Sequence, residues 1–279
     1  MVVSHANFLH STMSDLGGAW KATETLPVSD LSLPGAPAES QLLLKKESRV
    51  RILLSPADSA DQRICIKLYR VPNRLRWRTA YSVARARREL DNLQAAYDAK
   101  VPVIRALDWA EERHLGLMQF NAIATEYVAG KNMADMLREP DTDATQRIEL
   151  IKNSGKLLAK LHQVGMVWMT ALPRNIIVDE AKKSELLALD MPYGSQFGDS
   201  IKEKAPAIYD LHMMLKYGLS QERFDTPDAT AFLEAYCNSD VTKMRLLTER
   251  LKNRSKTGDF INRIALRSLA IAKSSLQKR

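Results

Sequence analysis

Four residues carry the chemistry that this sequence offers. Asn175 and Asp190 stand at the edges of two short apolar runs, NIIV from Asn175 to Val178 and the run that ends LALD at Asp190. A side-chain amide and a carboxylate are hard oxygen donors, suited to a divalent cation such as Mg2+. Lys67 lies in the middle of RICIKLYR, where Ile64, Ile66 and Leu68 alternate with Cys65, Lys67 and Tyr69. That alternation is a strand signal, and taken alone Lys67 reads as an exposed strand lysine. Glu89 lies in a helical stretch next to Arg87 and Arg88, and taken alone it reads as their local ion-pairing partner.

The elements that must position these residues follow in a readable order. Residues 1–38 are poorly patterned, with Gly17–Gly18 and prolines at 27, 34 and 37, and read as an extension wrapped over the surface or partly disordered. From Gln41, QLLLKK, a turn near Glu47–Ser48 and RVRILL predict a β-hairpin. The strand of Lys67 comes next, then a helix over roughly Trp77–Ala99 with Ala84, Leu90, Leu93 and Tyr97 on its apolar side. VPVIRALDWAEER predicts a loop and a strand, and LGLMQF and NAIATEYVAG predict two more. EYVAG leads into a short helix, KNMADMLRE, and a polar spacer, PDTDAT.

Beyond the spacer the chain turns helical. Gln146–Val164 carries Ile148, Ile151, Leu157, Leu158 and Leu161 near one face and stops before Gly165, a C-cap signal. The two short strands edged by Asn175 and Asp190 come next. APAIYDLHMMLKYGL, DATAFLEAYC and the basic stretch from Val241 then read as helices. A strand-rich front, a connector near Val128–Gly130 and a helix-rich back give an α+β chain of two lobes, 39–128 and 129–279.

A chain of 279 residues, 45% hydrophobic and 27% charged, has the composition of an ordinary globular protein able to bury a full core. No apolar run approaches the roughly 18–20 residues of a membrane span. The first residues lack a basic-then-apolar signal, and Cys65 and Cys237 read as reduced packing residues, so a cytoplasmic location is expected. The net charge of +8 is concentrated. Arg70, Arg74, Arg76, Arg78, Arg85, Arg87 and Arg88 fall together with no acidic residue between them, and the tail from Arg250 is also basic. Such patches fit solvated faces or an anionic partner: a phosphorylated small molecule, an acidic membrane surface or nucleic acid. With no zinc-finger spacing or RNA-binding aromatic signature, nucleic acid is the least supported.

Read together, IKLYR, EYVAG, LLAKLH, LPRNIIVD and LALD, in that order over roughly residues 41–220, resemble the protein-kinase-like fold. Within it the chain is similar to the bacterial lipopolysaccharide kinases that phosphorylate Kdo or heptose of the inner core. The resemblance implies a two-lobed fold with a small antiparallel-sheet N-lobe and a helical C-lobe. It implies ATP and Mg2+ as cofactors and an anionic glycan or lipid-linked sugar as partner, with peripheral contact at the inner membrane. Phosphoryl transfer asks the protein mainly to position phosphates and neutralise their charge. By resemblance Lys67 holds phosphates and is held by Glu89, the backbone around Glu126 to Val128 meets the adenine, and Asn175 and Asp190 hold Mg2+. Asp210 matches a residue that braces the catalytic loop, and His162 reads as structural.

Two departures bear on activity. The pattern H-R-D-x-x-x-x-N fixes the distance from its Asp to its Asn. Counting back from Asn175 lands on Thr170, with Trp168 and Met169 where His and Arg belong. A threonine hydroxyl is no base near neutral pH. Asp179, Glu180 or Asp199 would have to substitute, and the spacing selects none of them. The hairpin turn, LKKESRV, also lacks the glycines that let a backbone approach phosphates. The expectation is a relative of these kinases that binds nucleotide with reduced or absent phosphotransfer. An active Kdo or heptose kinase and a basic scaffold at the inner membrane face are the alternatives.

Overall fold

The computed structural model describes residues 41–46, 50–54, 63–182, 185–221 and 223–253. The extension 1–38, the hairpin turn at Glu47–Ser48 and the tail after Asn253 lie outside the described residues. The chain divides into two compact units, Met1–Asp91 with Arg105–Tyr127 and Asn92–Ile104 with Val128–Arg279.

In the first unit β1 (Gln41–Lys46), β2 (Val50–Leu54), β3 (Ile64–Arg70), β4 (Ala106–His114) and β5 (Leu117–Glu126) form an antiparallel sheet in the order β1-β2-β3-β5-β4. The alternation read in β3 holds, with Ile64, Ile66 and Leu68 buried. The two strands expected after Leu115 are one. Asn121, a polar residue that reads as a break, is buried inside β5, where its Oδ1 accepts from the Ala86 N–H at 2.9 Å. A buried amide with a partner does not interrupt a strand flanked by β3 and β4.

The helix expected from Trp77 starts later. Asn73–Thr79 is a 3₁₀ segment, and the α-helix, α1, covers Arg85–Asp98. The Arg113 guanidinium takes the carbonyls of Thr79 and Ser82, both at 2.8 Å, and Thr79 Oγ1 accepts from the Met118 N–H at 2.9 Å. Carbonyls diverted in this way are lost to a helical ladder. Ala84 just before α1 and Ala86, Leu93 and Ala96 on it are buried at its apolar side, Leu90 is half-buried, and Tyr97 is exposed, contrary to its expected place.

After Asn92–Ile104, the second unit continues with β6 (Gly130–Asn132) and the single turn α2 (Met133–Met136). Next comes α3 (Ala144–Gln163), capped by Asp143 Oδ1 accepting from the Gln146 N–H at 2.7 Å. It ends as expected near Gly165, which lies in the left-handed region at φ 76. β7 (Met166–Val167) pairs with β10 (Ser195–Gln196), and β6, β8 (Ile176–Asp179) and β9 (Glu185–Ala188) form a second small sheet. β9 stops short of Asp190, where the strand was expected to end. Asp190 has φ 61, a left-handed conformation that no strand continues through.

The remaining helices are α4 (Ala205–His212), α5 (Pro227–Cys237) and α6 (Val241–Lys252). The helix expected through Leu219 changes to a π turn over Met213–Gly218. α3 meets α5 at Gly155, where an added Cβ would stand 2.5 Å from the Phe232 carbonyl oxygen. Helix propensity alone would make Gly155→Ala stabilising by about 1 kcal/mol. The backbone contact reverses the sign, and we expect a net loss of about 1–2 kcal/mol, read as a lower Tm. Both cysteines are free, and burial pushes each thiol up to about 11, as expected of packing residues. No described helix is long and apolar enough to cross a membrane.

Candidate functional site

The sheet of the first unit sets Lys67 at the centre of β3, opposite Ile123 of β5 and Ile52 of β2. Its Nζ meets Glu89 Oε1 at 3.1 Å, and the Tyr69 hydroxyl donates to Glu89 Oε2. Glu89 is buried at 2% exposure, and the Lys67 side chain is 15% exposed. The local readings of both residues therefore fail. Glu89 pairs with a lysine twenty-two positions away in sequence, while its neighbour Arg87 pairs with Asp91 at 2.9 Å. Tyr69 escaped the sequence reading, although a residue two positions along a strand shares its face with Lys67.

Lys67 is thus held with its charge directed by a buried carboxylate. Replacing it with alanine removes that charge, but Tyr69 still donates to Glu89, so the variant is expected to fold. The expected result for Lys67→Ala is a Tm in the wild-type range and a loss of most of the Tm increase on adding Mg2+–ATP. An unchanged nucleotide response would assign Lys67 to structure alone.

In the second unit the loop between β7 and β8 folds onto the end of the β9 run. Asn175 Nδ2 donates to the Thr170 carbonyl at 2.8 Å, and the Leu189 N–H donates to the Asn175 carbonyl at 3.0 Å. The Thr170 hydroxyl donates to the Asp190 carbonyl. The indole N–H of Trp168, a fully buried side chain, reaches the carbonyls of Leu189 and Asp190 at 3.0 and 3.3 Å. Trp168 and Thr170 therefore both serve as donors to the backbone at Leu189 and Asp190. Met169 and Asp190 both adopt positive φ, 68 and 61, a sparsely populated conformation that clusters at functional sites.

Asn175 has its amide nitrogen committed to Thr170, which leaves its oxygen as the donor for a cation. With the Asp190 carboxylate this is a donor set that fits Mg2+. Among the described residues no three His, Cys, Asp or Glu side chains gather into a metal site. Two protein ligands with the rest drawn from phosphate and water is the arrangement Mg2+ favours.

Asp210, fully buried on α4, holds the loop from behind. It accepts from the backbone N–H groups of Trp168 at 2.5 Å and Met169 at 2.7 Å, and its Oδ2 lies 3.2 Å from His162 Nε2. His162 Nδ1 lies 2.8 Å from the Tyr236 hydroxyl. Burial, with Cys237 and Asp210 nearby, pushes that hydroxyl well above its ordinary range, so it stays a neutral donor. Tyr236 donating to Nδ1 leaves the Nε2–H to donate to Asp210, and every polar atom in the chain of contacts is satisfied.

The remaining candidates are less engaged. The Glu126 and Tyr127 N–H groups are taken by the Arg105 and Arg63 carbonyls, and Glu126 Oε1 accepts from the Arg105 N–H at 3.0 Å. Among the described residues the Val128 N–H has no such partner. Of the substitute bases, Asp179 is buried and accepts from the Ala181 N–H at 2.9 Å, a turn contact, while Glu180 and Asp199 are exposed. Asn92 on α1 was not foreseen: its Nδ2 donates to the carbonyls of Met191 at 2.8 Å and Gly194 at 3.1 Å, fixing the segment after Asp190.

The sequence profile described as the lipopolysaccharide kinase (Kdo/WaaP) family matches residues 67–236, more than half of the chain, from Lys67 to Tyr236. Among solved structures the chain is similar to one titled WaaP in complex with acyl carrier protein. Identity is 15% with a TM-score of 0.52, over 90% of this chain and 92% of that one, a likeness of fold. No curated protein matches the sequence.

Proposed function

The chain belongs to the lipopolysaccharide kinase (Kdo/WaaP) family, and we propose that within it this protein binds a Mg2+–nucleotide but transfers phosphate slowly or not at all. The observation that carries this reading is the bonding of Thr170. Its carbonyl anchors the Asn175 amide, and its hydroxyl is spent on the Asp190 backbone. The metal-holding part of the loop is thereby built, while no carboxylate stands where a base would take the acceptor's proton. General-base help is typically worth about 10²–10⁴ in rate.

In this reading Lys67, directed by Glu89, meets phosphate oxygens, and Asn175 and Asp190 hold Mg2+. The cation, when bound, neutralises charge on the phosphates. The Val128 N–H is the backbone donor offered to an adenine. The partner is an anionic glycan or lipid-linked sugar at the inner membrane face. The intact Lys67–Glu89 pair also favours an active kinase as the second reading, with an acceptor or an exposed carboxylate supplying the base.

Thermal-shift titration with Mg2+–ATP divides these readings from a purely structural role. Wild type is expected to be stabilised by Mg2+–ATP, and Asp190→Ala to lose that stabilisation. No response by wild type would remove every nucleotide-based reading. Transfer of radiolabelled γ-phosphate to core oligosaccharide is then expected to be weak. Robust turnover abolished by Asp190→Ala would replace the proposal with the active-kinase reading.

A further inference from the structure

Each of the two carboxylate oxygens of Glu89 is met by a different side chain. Lys67 Nζ lies 3.1 Å from Oε1, and the Tyr69 hydroxyl donates to Oε2. The last torsion of a glutamate is soft, so a carboxylate held through one oxygen can turn. Held through both oxygens, its plane is fixed. Glu89 is buried at 2% exposure, and bulk water does not stand in for a missing donor there.

Tyr69 is itself only 3% exposed, two positions from Lys67 along β3 and on the same face of the sheet. A buried phenol needs an acceptor, and a backbone carbonyl would satisfy it equally well. Here the hydroxyl goes to the carboxylate that holds Lys67, on the oxygen opposite the lysine. The ring is engaged as well. Lys67 Nζ lies 5.1 Å and the Arg85 guanidinium 4.4 Å from its centroid, both within reach of a cation–ring attraction. Tyr69 therefore meets the lysine twice, directly through its ring and indirectly through Glu89.

α1, the helix of Glu89, has a separate tie to the sheet. Asn121, which stands opposite Tyr69 in the β3–β5 ladder, accepts from the Ala86 N–H at 2.9 Å. With the helix supported there, the distinct contribution of the Tyr69 hydroxyl is the orientation of the Glu89 carboxylate.

We propose that Tyr69 is a positioning residue for phosphate binding. Its hydroxyl sets the plane of the Glu89 carboxylate, and that plane aims the Lys67 ammonium at the phosphates of a nucleotide. Tyr69 in this role presupposes the nucleotide reading above and acts on ligand affinity through Glu89.

Tyr69→Phe keeps the ring and its packing and removes only the donor. The measurement is isothermal titration of the full chain with Mg2+–ATP and, separately, with adenosine, which has no phosphate for Lys67 to meet. Tyr69→Phe is expected to weaken Mg2+–ATP binding about tenfold, the scale of one hydrogen bond to a charged group, and to leave adenosine affinity unchanged. In a Lys67→Ala background the same substitution should change Mg2+–ATP affinity no further. Asn121→Ala, which removes the separate tie of α1 to the sheet, should lower the Tm but keep the wild-type ratio of the two affinities. Wild-type Mg2+–ATP affinity in Tyr69→Phe would overturn the proposal and leave the nucleotide reading in place. So would an equal loss of ATP and adenosine binding, or a ratio lowered as much by Asn121→Ala, since each marks Tyr69 as a structural prop. Absence of Mg2+–ATP binding by wild type would instead remove the nucleotide reading, and this role with it.

Discussion

Thr170→Asp is expected to raise phosphotransfer to core oligosaccharide by about 10²–10⁴ over the wild-type rate. The position is set by Asn175, whose amide bonds the backbone carbonyl of residue 170, a bond that any side chain at 170 leaves in place. Nucleotide affinity should therefore change little. The substitution does remove the hydroxyl that donates to the Asp190 carbonyl. A single such bond contributes about 1 kcal/mol net, much less than the expected gain in barrier height. Thr170→Ala serves as the control, since it removes the same hydroxyl without adding a carboxylate and should give no gain. The measurement is single-turnover transfer of labelled γ-phosphate, with Mg2+–ATP affinity determined in parallel. If Thr170→Asp binds nucleotide normally and gains no rate, the missing base is not what limits transfer.

Asp210→Ala is expected to be the most damaging single change to the loop. The carboxylate accepts two backbone N–H bonds, from Trp168 and Met169, and faces His162, all in a fully buried setting. Removing it strands two buried donors, each costing about 1–3 kcal/mol, and we expect a total loss of about 3–5 kcal/mol. The loss should appear as a lower Tm and denaturant midpoint, accompanied by loss of nucleotide binding. Met169 is held at positive φ, a conformation that persists only while its surroundings impose it. Asp210→Asn keeps one side-chain oxygen acceptor and should fall between wild type and alanine. A fully stable alanine variant would mean that the contacts of Trp168 and Thr170 with the Leu189 and Asp190 carbonyls hold the loop without it.

The two expected results separate chemistry from scaffold. One adds a reactive group to a loop that is already held, and the other releases the loop while leaving Lys67, Asn175 and Asp190 in the sequence. An effect on rate alone and an effect on stability and binding together are distinguishable in the same pair of assays.

The sequence by itself determined the order Lys67, Glu89, Asn175, Asp190 and the spacing between Thr170 and Asn175. Order and spacing are properties of chain distance. The hydrophobic alternation of β3, the face of α3 and the left-handed Gly165 were legible for the same reason, since period and local sterics act over a few residues. The family was legible because several weak local signals fell in one order. What chain distance does not carry is partnership. Glu89 has arginines beside it and still pairs with Lys67 and Tyr69, because sheet and helix packing bury it where those two side chains reach it. Trp77 to Ala84 has the composition of a helix, yet the Arg113 guanidinium draws the Thr79 and Ser82 carbonyls to itself, and the Thr79 side chain is tied to the Met118 N–H. Trp168 looks like a lost histidine until its indole is seen holding the backbone at Asp190, and Asn92 has no local reason to matter. Only the tertiary structure decided these, because a buried polar group takes whatever partner the fold delivers to it, and that partner comes from another part of the chain.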